Sequence, residues 1–253
     1  MTVAAPSGAM DIVALRGVGK TFSNGTEALR GVDLAIGTGE FVSLLGPSGC
    51  GKSTALRLIA GLAEPSAGRV EWARQERLGY VFQEPTLMPW RTVLGNVRLP
   101  LQIAGIGKSE AEARAEAALA QVGLAGFEAS YPRQLSGGMK MRVAIARALV
   151  PGPKLLLLDE PFAALDEITR LRLNEDLLGL WASSGLTVAF VTHSVYESVF
   201  LSTRILVMAP RPGRIVADIA LPDAGPRDEA YRTSAPYNEA CRTVSAALKA
   251  AMS

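Results

Sequence analysis

The sequence lacks a long apolar run and has only two cysteines among its 253 residues. The four leucines at 155–158 end at two acidic residues, whereas a membrane-spanning helix needs about 18 apolar residues. The opening residues, MTVAAPSGAMDIV, contain no basic start followed by an apolar stretch, so no secretory signal is predicted. Cys50 and Cys241 do not make a disulfide framework and favour a reducing compartment. We therefore expect a cytoplasmic protein.

An excess of charge of either sign is also missing. The chain has 26 basic and 24 acidic residues, and the net charge of +2 is too small to predict a nucleic-acid surface. Hydrophobic residues make up 49% of the chain and charged residues 20%, which is typical of a globular rather than a disordered protein. We expect a single domain over residues 1–253 and no nucleic-acid partner.

Short apolar strands alternate with helical segments, and this order predicts an α/β fold with a parallel core sheet. The predicted core strands are at 40–45, 154–160, 186–193 and 204–208. Residues 11–36 indicate an antiparallel β lobe instead, and 86–150 a helical lobe inserted in the core. In that lobe, Ser109 and Glu112 have capping-box spacing at the start of a helix. A C-terminal helix is expected around 228–250.

The strongest motif is GPSGCGKST at 46–54, which matches the phosphate-loop pattern between a predicted strand and a predicted helix. Its glycines allow backbone N–H groups to surround phosphate oxygens. Lys52 supplies positive charge for the β- and γ-phosphates, and the Ser53 hydroxyl is a ligand for Mg²⁺. The predicted nucleotide-binding residues of this loop are Gly46, Pro47, Ser48, Gly49, Cys50, Gly51, Lys52, Ser53 and Thr54.

Polar residues follow three other predicted strands. Asp159 and Glu160 follow the four leucines, where an aspartate can hold Mg²⁺ and the next carboxylate can take a proton from an attacking water. His193, the only histidine, ends the strand FVTH, and Gln83 follows the apolar segment GYVF. Ligands bind at the carboxyl ends of parallel strands, so we expect these strand ends to share one site with the phosphate loop.

A second potential anion site begins at Ser136. In QLSGGMKMRVAIARAL (134–149), a serine and two glycines precede an apolar, helix-like run. Backbone N–H groups of Ser136, Gly137 and Gly138 at the start of such a helix would attract an anion.

Six motifs in a fixed order resemble the nucleotide-binding subunits of ATP-binding cassette (ABC) transporters over essentially the whole chain. They are GPSGCGKST, VFQEP, LSGGM, LLLLDEP, AALD and VTH, and LSGG is specific to this class among phosphate-loop ATPases. The resemblance implies a phosphate-loop NTPase fold with a parallel core sheet, an N-terminal antiparallel β lobe and an inserted helical lobe. It also implies hydrolysis of ATP to ADP and phosphate, with Mg²⁺ as cofactor and coupling to transport.

The resemblance assigns roles to further residues. Gln83 would sense Mg²⁺ and nucleotide, Asp166 would belong to a dimer-contact loop, and His193 would be the switch histidine. Phe22 would stack on adenine, with a place in the core as the alternative. Lys52, Glu160 and His193 are then the catalytic residues. Ser53, Gln83 and Asp159 are the expected metal ligands.

The resemblance also explains the second anion site. Two copies of the chain would pair head to tail, and each ATP would lie between the 46–54 loop of one copy and Ser136, Gly137 and Gly138 of the other. Three positions depart from the usual pattern of the family: Met139 and Met141 replace glutamines, and Ser194 replaces an aspartate.

The segments TLMPWRTVLGNV and THSVYESVFLSTRILVMAPRPGRIV are most similar to importer subunits for nitrate, sulfonates and taurine. That branch implies membrane permease partners, an indirect solute-binding protein in the periplasm or outside the cell, and a peripheral location on the cytoplasmic face of the inner membrane. Trp90 would suit a groove that receives a permease helix, or it is a core residue. The alternative function is a soluble ABC ATPase such as an iron–sulfur assembly factor.

Overall fold

Strands and helices alternate along the computed structural model, which describes residues 10–74, 76–222 and 227–252. Within these ranges the strands are β1 (Asp11–Thr21), β2 (Glu27–Gly37), β3 (Phe41–Leu45), β4 (Ala67–Trp72), β5 (Leu78–Val81), β6 (Leu155–Asp159), β7 (Thr187–Thr192), β8 (Arg204–Ala209) and β9 (Arg214–Ala220). The helices are α1 (Lys52–Ile59), α2 (Val93–Val97), α3 (Leu99–Ile103), α4 (Lys108–Gln121), α5 (Gly137–Leu149), α6 (Glu167–Ser184), α7 (Val195–Leu201), α8 (Glu229–Arg232) and α9 (Ala235–Met252), with a 3₁₀ turn at Pro132–Gln134.

The chain divides into two compact units. The first unit combines Met1–Gln75 with Gly185–Ser253, and the second is Glu76–Ser184. Residues 1–9, on which the expectation about a secretory signal rests, lie outside the described residues.

An antiparallel sheet with the order β2-β1-β4 forms part of the first unit. β1 pairs with β2 over most of their length, with several register shifts, and its other edge pairs with β4. In β2 the buried residues Val32, Leu34 and Ile36 alternate, as expected for a strand with one face on the core, whereas in β1 the four consecutive residues at 12–15 are buried. The predicted antiparallel lobe at 11–36 is confirmed, and β4 extends it.

The other strands of the first unit pair in the order β7-β3-β8-β9. β3 is parallel to both β7 and β8, and all residues of these three strands are buried, which explains their continuous apolar sequence. Leu45 at the end of β3 is in register with Thr192 and Val207. Because the strands are parallel, the loops that begin at Gly46 and His193 leave from the same edge.

In the second unit, β5 and β6 form a parallel pair in which Val81 is in register with Leu158. Helices α2 to α5 lie between these two strands in the chain, within the segment predicted to be helical at 86–150. Every residue of β6 is buried. The polar residues that follow β5 and β6 therefore leave from one edge of this pair.

The predicted capping box of α4 is wrong. The residue that precedes α4 is Gly107, and no side chain caps the helix there. Glu112 instead forms an ion pair with the half-buried Arg98 of the same unit. The Glu112 carboxylate thus contacts a residue outside α4 instead of the backbone at the start of α4, which the capping-box spacing predicted.

The C-terminal helical segment is divided into α8 and the longer α9, and the turn-rich sequence before it contains β9. Within the described ranges, α6 and α9 are the longest helices, with 18 residues each. None of the helices in those ranges is both long enough and apolar enough to pass through a membrane.

Truncation of Phe190 tests the packing of the first unit. Phe190 is fully buried in β7, with its ring centroid 6.0 Å from that of Phe41. We expect Phe190→Ala to lower the free energy of unfolding by about 3–5 kcal/mol, since it removes buried apolar contacts and leaves a cavity. The matched change at the exposed Phe127 should cost less than about 1 kcal/mol. Equal losses in urea unfolding of the two variants would contradict this packing.

Candidate functional site

The loop that follows β3 has the backbone shape expected for phosphate binding. Gly49 and Gly51 have φ values of 76° and 94°, in the left-handed region that glycine adopts without strain. Ser48 and Gly49 are exposed at its tip, whereas Cys50 is buried beneath it. Gly51 is the N-cap of α1, which begins at Lys52, so the loop leads directly to the positive end of a helix dipole.

Lys52 is held inside this loop. Its side chain is buried, with 4% of the residue exposed, and Nζ donates to Gly46 O at 2.8 Å and to Pro47 O at 3.0 Å. A buried ammonium group requires such partners because its desolvation is costly. Ser53 and Thr54 are half-buried in the first turn of α1. These two contacts fix the position of the Lys52 ammonium group in the loop.

His193 is exposed directly after β7, at the edge where the phosphate loop leaves β3. The residues around it are hydrogen-bonded to one another. Thr192 Oγ1 donates to Glu197 Oε2 at 2.5 Å and accepts from the Ser194 N–H at 3.0 Å. Ser194 Oγ accepts from the Glu197 N–H at 3.3 Å and caps α7, a role that the usual aspartate could also fill.

Phe22 lies in the turn after β1 and is 43% exposed. Its backbone N–H donates to Thr26 O at 2.9 Å, and Lys20 Nζ lies 5.6 Å from the ring centroid. The core position considered from the sequence is therefore wrong, and the aromatic face is available for stacking.

Gln83 and Asp159 leave the same edge of the parallel pair in the second unit. Gln83 is exposed after β5, while Asp159 is buried at the end of β6. Asp159 Oδ2 accepts a hydrogen bond of 3.2 Å from the Tyr80 hydroxyl, and the Tyr80 ring packs on Phe82 with a centroid distance of 4.4 Å. The sequence analysis missed Tyr80, whose only signal is its place on the strand that precedes Gln83.

Glu160 adopts a left-handed backbone conformation with φ of 46°. For a residue other than glycine this costs about 1–3 kcal/mol, and such strain is concentrated at functional sites. The side chain is half-buried. The strained turn redirects the chain directly after the buried β6.

The predicted second anion site lies at the start of α5. Ser136 is the N-cap, and its Oγ accepts from the Met139 N–H at 3.3 Å. Ser136 and Gly137 are exposed. Gly138 is buried, and a methyl group there would lie 2.5 Å from Cγ2 of Thr169 on α6, so glycine also permits close helix packing. Of the two unusual methionines, Met141 is buried in the helix core face, and Met139 is half-exposed.

Asp166 is exposed and caps α6. Its Oδ1 accepts from the Thr169 N–H at 2.9 Å. This bond and a second one from the Thr169 side chain lower the pKa of Asp166. The aspartate thus stays ionised at the N-terminus of a helix, where a negative charge is favourable.

The segment after Gln83 is anchored to α5 by Arg147. Its guanidinium donates to Pro85 O and Thr86 O, both at 2.9 Å. Thr86 has a φ of 46°, so this anchor holds the chain in a strained turn. The sequence analysis did not identify Arg147.

A groove of about 500 Å³ lies beside this anchor in the second unit. Its lining includes Phe82, Leu99, Ile103 and Arg147. Ile103 is 79% exposed, and Trp90, in the segment that precedes α2, is 73% exposed. The alternative that Trp90 is a core residue is therefore wrong.

Removal of the Tyr80 hydroxyl tests its contact with Asp159. We expect Tyr80→Phe to lower the free energy of unfolding by about 1–3 kcal/mol, because the buried carboxylate loses a hydrogen-bond donor. Tyr196→Phe, at an exposed tyrosine, should change it by less than about 0.5 kcal/mol. Urea unfolding of both variants gives the comparison, and a loss at Tyr80 no larger than at Tyr196 would count against the contact.

Known proteins match this chain over most of its length. A family model described as ABC transporter matches residues 29–163. An uncharacterized ABC transporter ATP-binding protein of Methanocaldococcus jannaschii is 49% identical over 222 residues, which cover 85% of this chain and 82% of the relative. The taurine import ATP-binding protein TauB of Yersinia pestis is 48% identical over 204 residues, covering 78% and 80%.

Solved structures of ABC transporter cassettes are also similar to this chain. A dimeric structure of the bacterial ABC transporter cassette MJ0796 is 36% identical and superposes with a TM-score of 0.74, covering 83% of this chain and 99% of that one. A second structure of that cassette, in a post-hydrolysis state with ADP and Pi, gives the same values. The predicted α/β ABC ATPase fold is thereby confirmed. This chain belongs to the ABC transporter family and is an ATPase of that family.

Proposed function

We propose that this chain is the subunit that hydrolyses ATP to power import of a small sulfonate- or nitrate-like solute through a separate membrane permease. The observation that carries this proposal is the 48% identity to a taurine import ATP-binding protein over 78% of the chain. The same relatives do not favour the soluble iron–sulfur assembly alternative.

The nucleotide is bound through the phosphate loop of the first unit. Lys52 neutralises charge on the β- and γ-phosphates, and the loop N–H groups donate to phosphate oxygens. Support comes from the Lys52 ammonium, which is already fixed at the loop by two carbonyl oxygens. Phe22 stacks on the adenine ring, as its exposed face allows.

The proposed metal ligands suit Mg²⁺, which prefers oxygen donors. They are the Ser53 hydroxyl, the Gln83 amide oxygen and the Asp159 carboxylate. Asp159 is buried and keeps its orientation through the Tyr80 hydroxyl, which supports a ligand role. When bound, the ion would neutralise charge on the phosphates.

Glu160 is the proposed general base. Its carboxylate takes a proton from the water that attacks the γ-phosphorus, and the bond from that phosphorus to the oxygen bridging the β- and γ-phosphates breaks. His193 donates a hydrogen bond to the γ-phosphate. The strained backbone of Glu160 and the hydrogen-bonded residues around His193 support these roles.

A second copy of the chain completes each nucleotide site in this proposal. Ser136, Gly137 and Gly138 of one copy donate N–H groups to the γ-phosphate held by the other, and Asp166 lies in the contact between copies. Support comes from the exposed N-terminus of α5 and from the dimeric cassette structure of a relative. ATP closes the dimer, and hydrolysis reopens it.

The permease docks on the second unit, and this contact transmits the closing and reopening of the dimer to the permease. The exposed Trp90 and the groove that contains Ile103 offer apolar surface for a helix of the permease. Arg147 joins this surface to the segment after Gln83. The chain then lies on the cytoplasmic face of the inner membrane, and a solute-binding protein outside the membrane delivers the solute to the permease.

Neutralising Glu160 tests the catalytic proposal. Glu160→Gln should slow ATP hydrolysis by about 10²–10⁴, because the amide cannot accept the proton from water. The same variant should form a stable dimer with ATP, measured by light scattering after size exclusion. Glu116→Gln, at an exposed position of α4, should hydrolyse ATP at the wild-type rate. Undiminished hydrolysis by Glu160→Gln, or a variant that stays monomeric with ATP, would reject these roles.

Truncation of Trp90 tests the docking surface. Trp90→Ala should weaken binding to the co-expressed permease by about tenfold or more, since exposed aromatic residues dominate such contacts. Trp90→Phe keeps an aromatic ring and should retain most of the binding. Affinity is measured with the detergent-solubilised permease, and the melting temperature of each variant checks its folding. Wild-type affinity of a folded Trp90→Ala would place the permease elsewhere.

A further inference from the structure

The turn between β8 and β9 is joined to the start of β2. Gly213, buried in this turn, donates its N–H to Ala28 O at 3.0 Å, and its carbonyl accepts from the Arg30 N–H at 3.0 Å. Leu29, between these two residues, is completely buried. Two backbone hydrogen bonds thus fix the position of Gly213 in the first unit.

Gly213 also lies directly against the phosphate loop. A methyl group on Gly213 would be 2.1 Å from Cys50 O and 2.8 Å from Ala28 O. Both are backbone atoms, which cannot move aside as the end of a flexible side chain can. From the loop side, a methyl group on Gly51 would lie 2.8 Å from the same Ala28 O. Only glycine allows these three segments to meet this closely.

The other end of the loop is also in contact with this hairpin. A methyl group on Gly46 would lie 2.7 Å from Met208 O, near the end of β8. The strand and turn from Met208 to Gly213 therefore contact the loop near both of its ends. The loop tip between those ends is exposed at Ser48 and Gly49.

We infer that Gly213 is a positioning residue for the phosphate loop: without a side chain, it lets the β8–β9 turn support the Cys50 carbonyl and fix the peptide groups from Cys50 to Lys52. This inference rests on the proposed function of the loop in binding ATP. N–H donors stabilise phosphate charge best when they are already in place. A displacement of about 1 Å can cost a factor of about 10² in such sites.

The variant Gly213→Ala tests this role. Its methyl group must displace Cys50 O, so we expect the dissociation constants for ADP and ATP to rise about tenfold or more. Isothermal titration calorimetry gives the apparent dissociation constant, and urea unfolding of the same variant gives its folded fraction. Multiplying the first by the second yields the dissociation constant of the folded molecules, because partial unfolding raises the apparent value by the reciprocal of that fraction. A folded-state dissociation constant equal to that of wild type would overturn the inference.

Gly19→Ala is the matched control in the same unit. A methyl group there would lie 3.4 Å from Ala67 Cβ and 3.6 Å from Leu29 O, which are ordinary contacts. The control therefore adds one methyl group near Leu29, as Gly213→Ala does, but without a contact to the phosphate loop. Its dissociation constants should stay within about twofold of wild type.

Hydrogen exchange of the wild-type protein provides a second test that does not depend on the folding of a variant. If the turn supports the loop, ADP should slow exchange at the Gly213 and Arg30 N–H groups as well as in the loop. Protection confined to residues 46–53 would overturn the inference.

Lys52→Ala distinguishes this inference from the proposed function. If wild type binds ADP, Lys52→Ala binds it weakly and Gly213→Ala binds it like wild type, only the inference about Gly213 fails. If the wild-type chain does not bind ADP, the proposed function of the loop fails, and the inference fails with it.

Discussion

The arrangement of the polar residues depends on the parallel pairing of the core strands in each unit. Leu45 is level with Thr192 in the first unit, and Val81 with Leu158 in the second. Polar residues follow these positions closely: His193 after Thr192, Gln83 two residues after Val81, and Asp159 after Leu158. Each polar segment that follows begins at the carboxyl edge of its own strand pair, where ligands of open α/β sheets bind.

Close backbone approach shapes the candidate site at several positions. Gly138 permits α5 to pack on Thr169, and Glu160 and Thr86 hold left-handed conformations that cost free energy. The surrounding core offsets this cost, since β6 before Glu160 is completely buried and Arg147 anchors the segment at Thr86. Part of the support for these turns therefore comes from residues outside the motifs, such as Arg147 and Thr169.

The sequence predicted the features that depend on local patterns. The glycine-rich loop at 46–54, the helix that starts at Ser136 and the four core strands follow from short motifs and continuous apolar runs. The capping box predicted at Ser109 is wrong because Glu112 forms an ion pair with Arg98, the residue between α2 and α3. Tyr80 and Asp159 are 79 positions apart in the chain, and Gly213 approaches the Cys50 carbonyl only in the folded protein. Contacts between residues this distant in the chain do not affect the local sequence pattern. The residues that hold Asp159 and the phosphate loop in place therefore could not be predicted from the sequence.

The strand that precedes the phosphate loop, β3, is synthesised before the strands that pair with it. Both neighbours of β3, the strands β7 and β8, follow it in the chain only after the whole second unit. On the ribosome, β3 therefore emerges with the hydrogen-bonding groups of both edges unpaired, before its partner strands have been synthesised. Contacts this distant in the chain slow folding and leave intermediates prone to aggregation. The second unit is continuous in the chain, so all of its residues are synthesised before the strands that pair with β3.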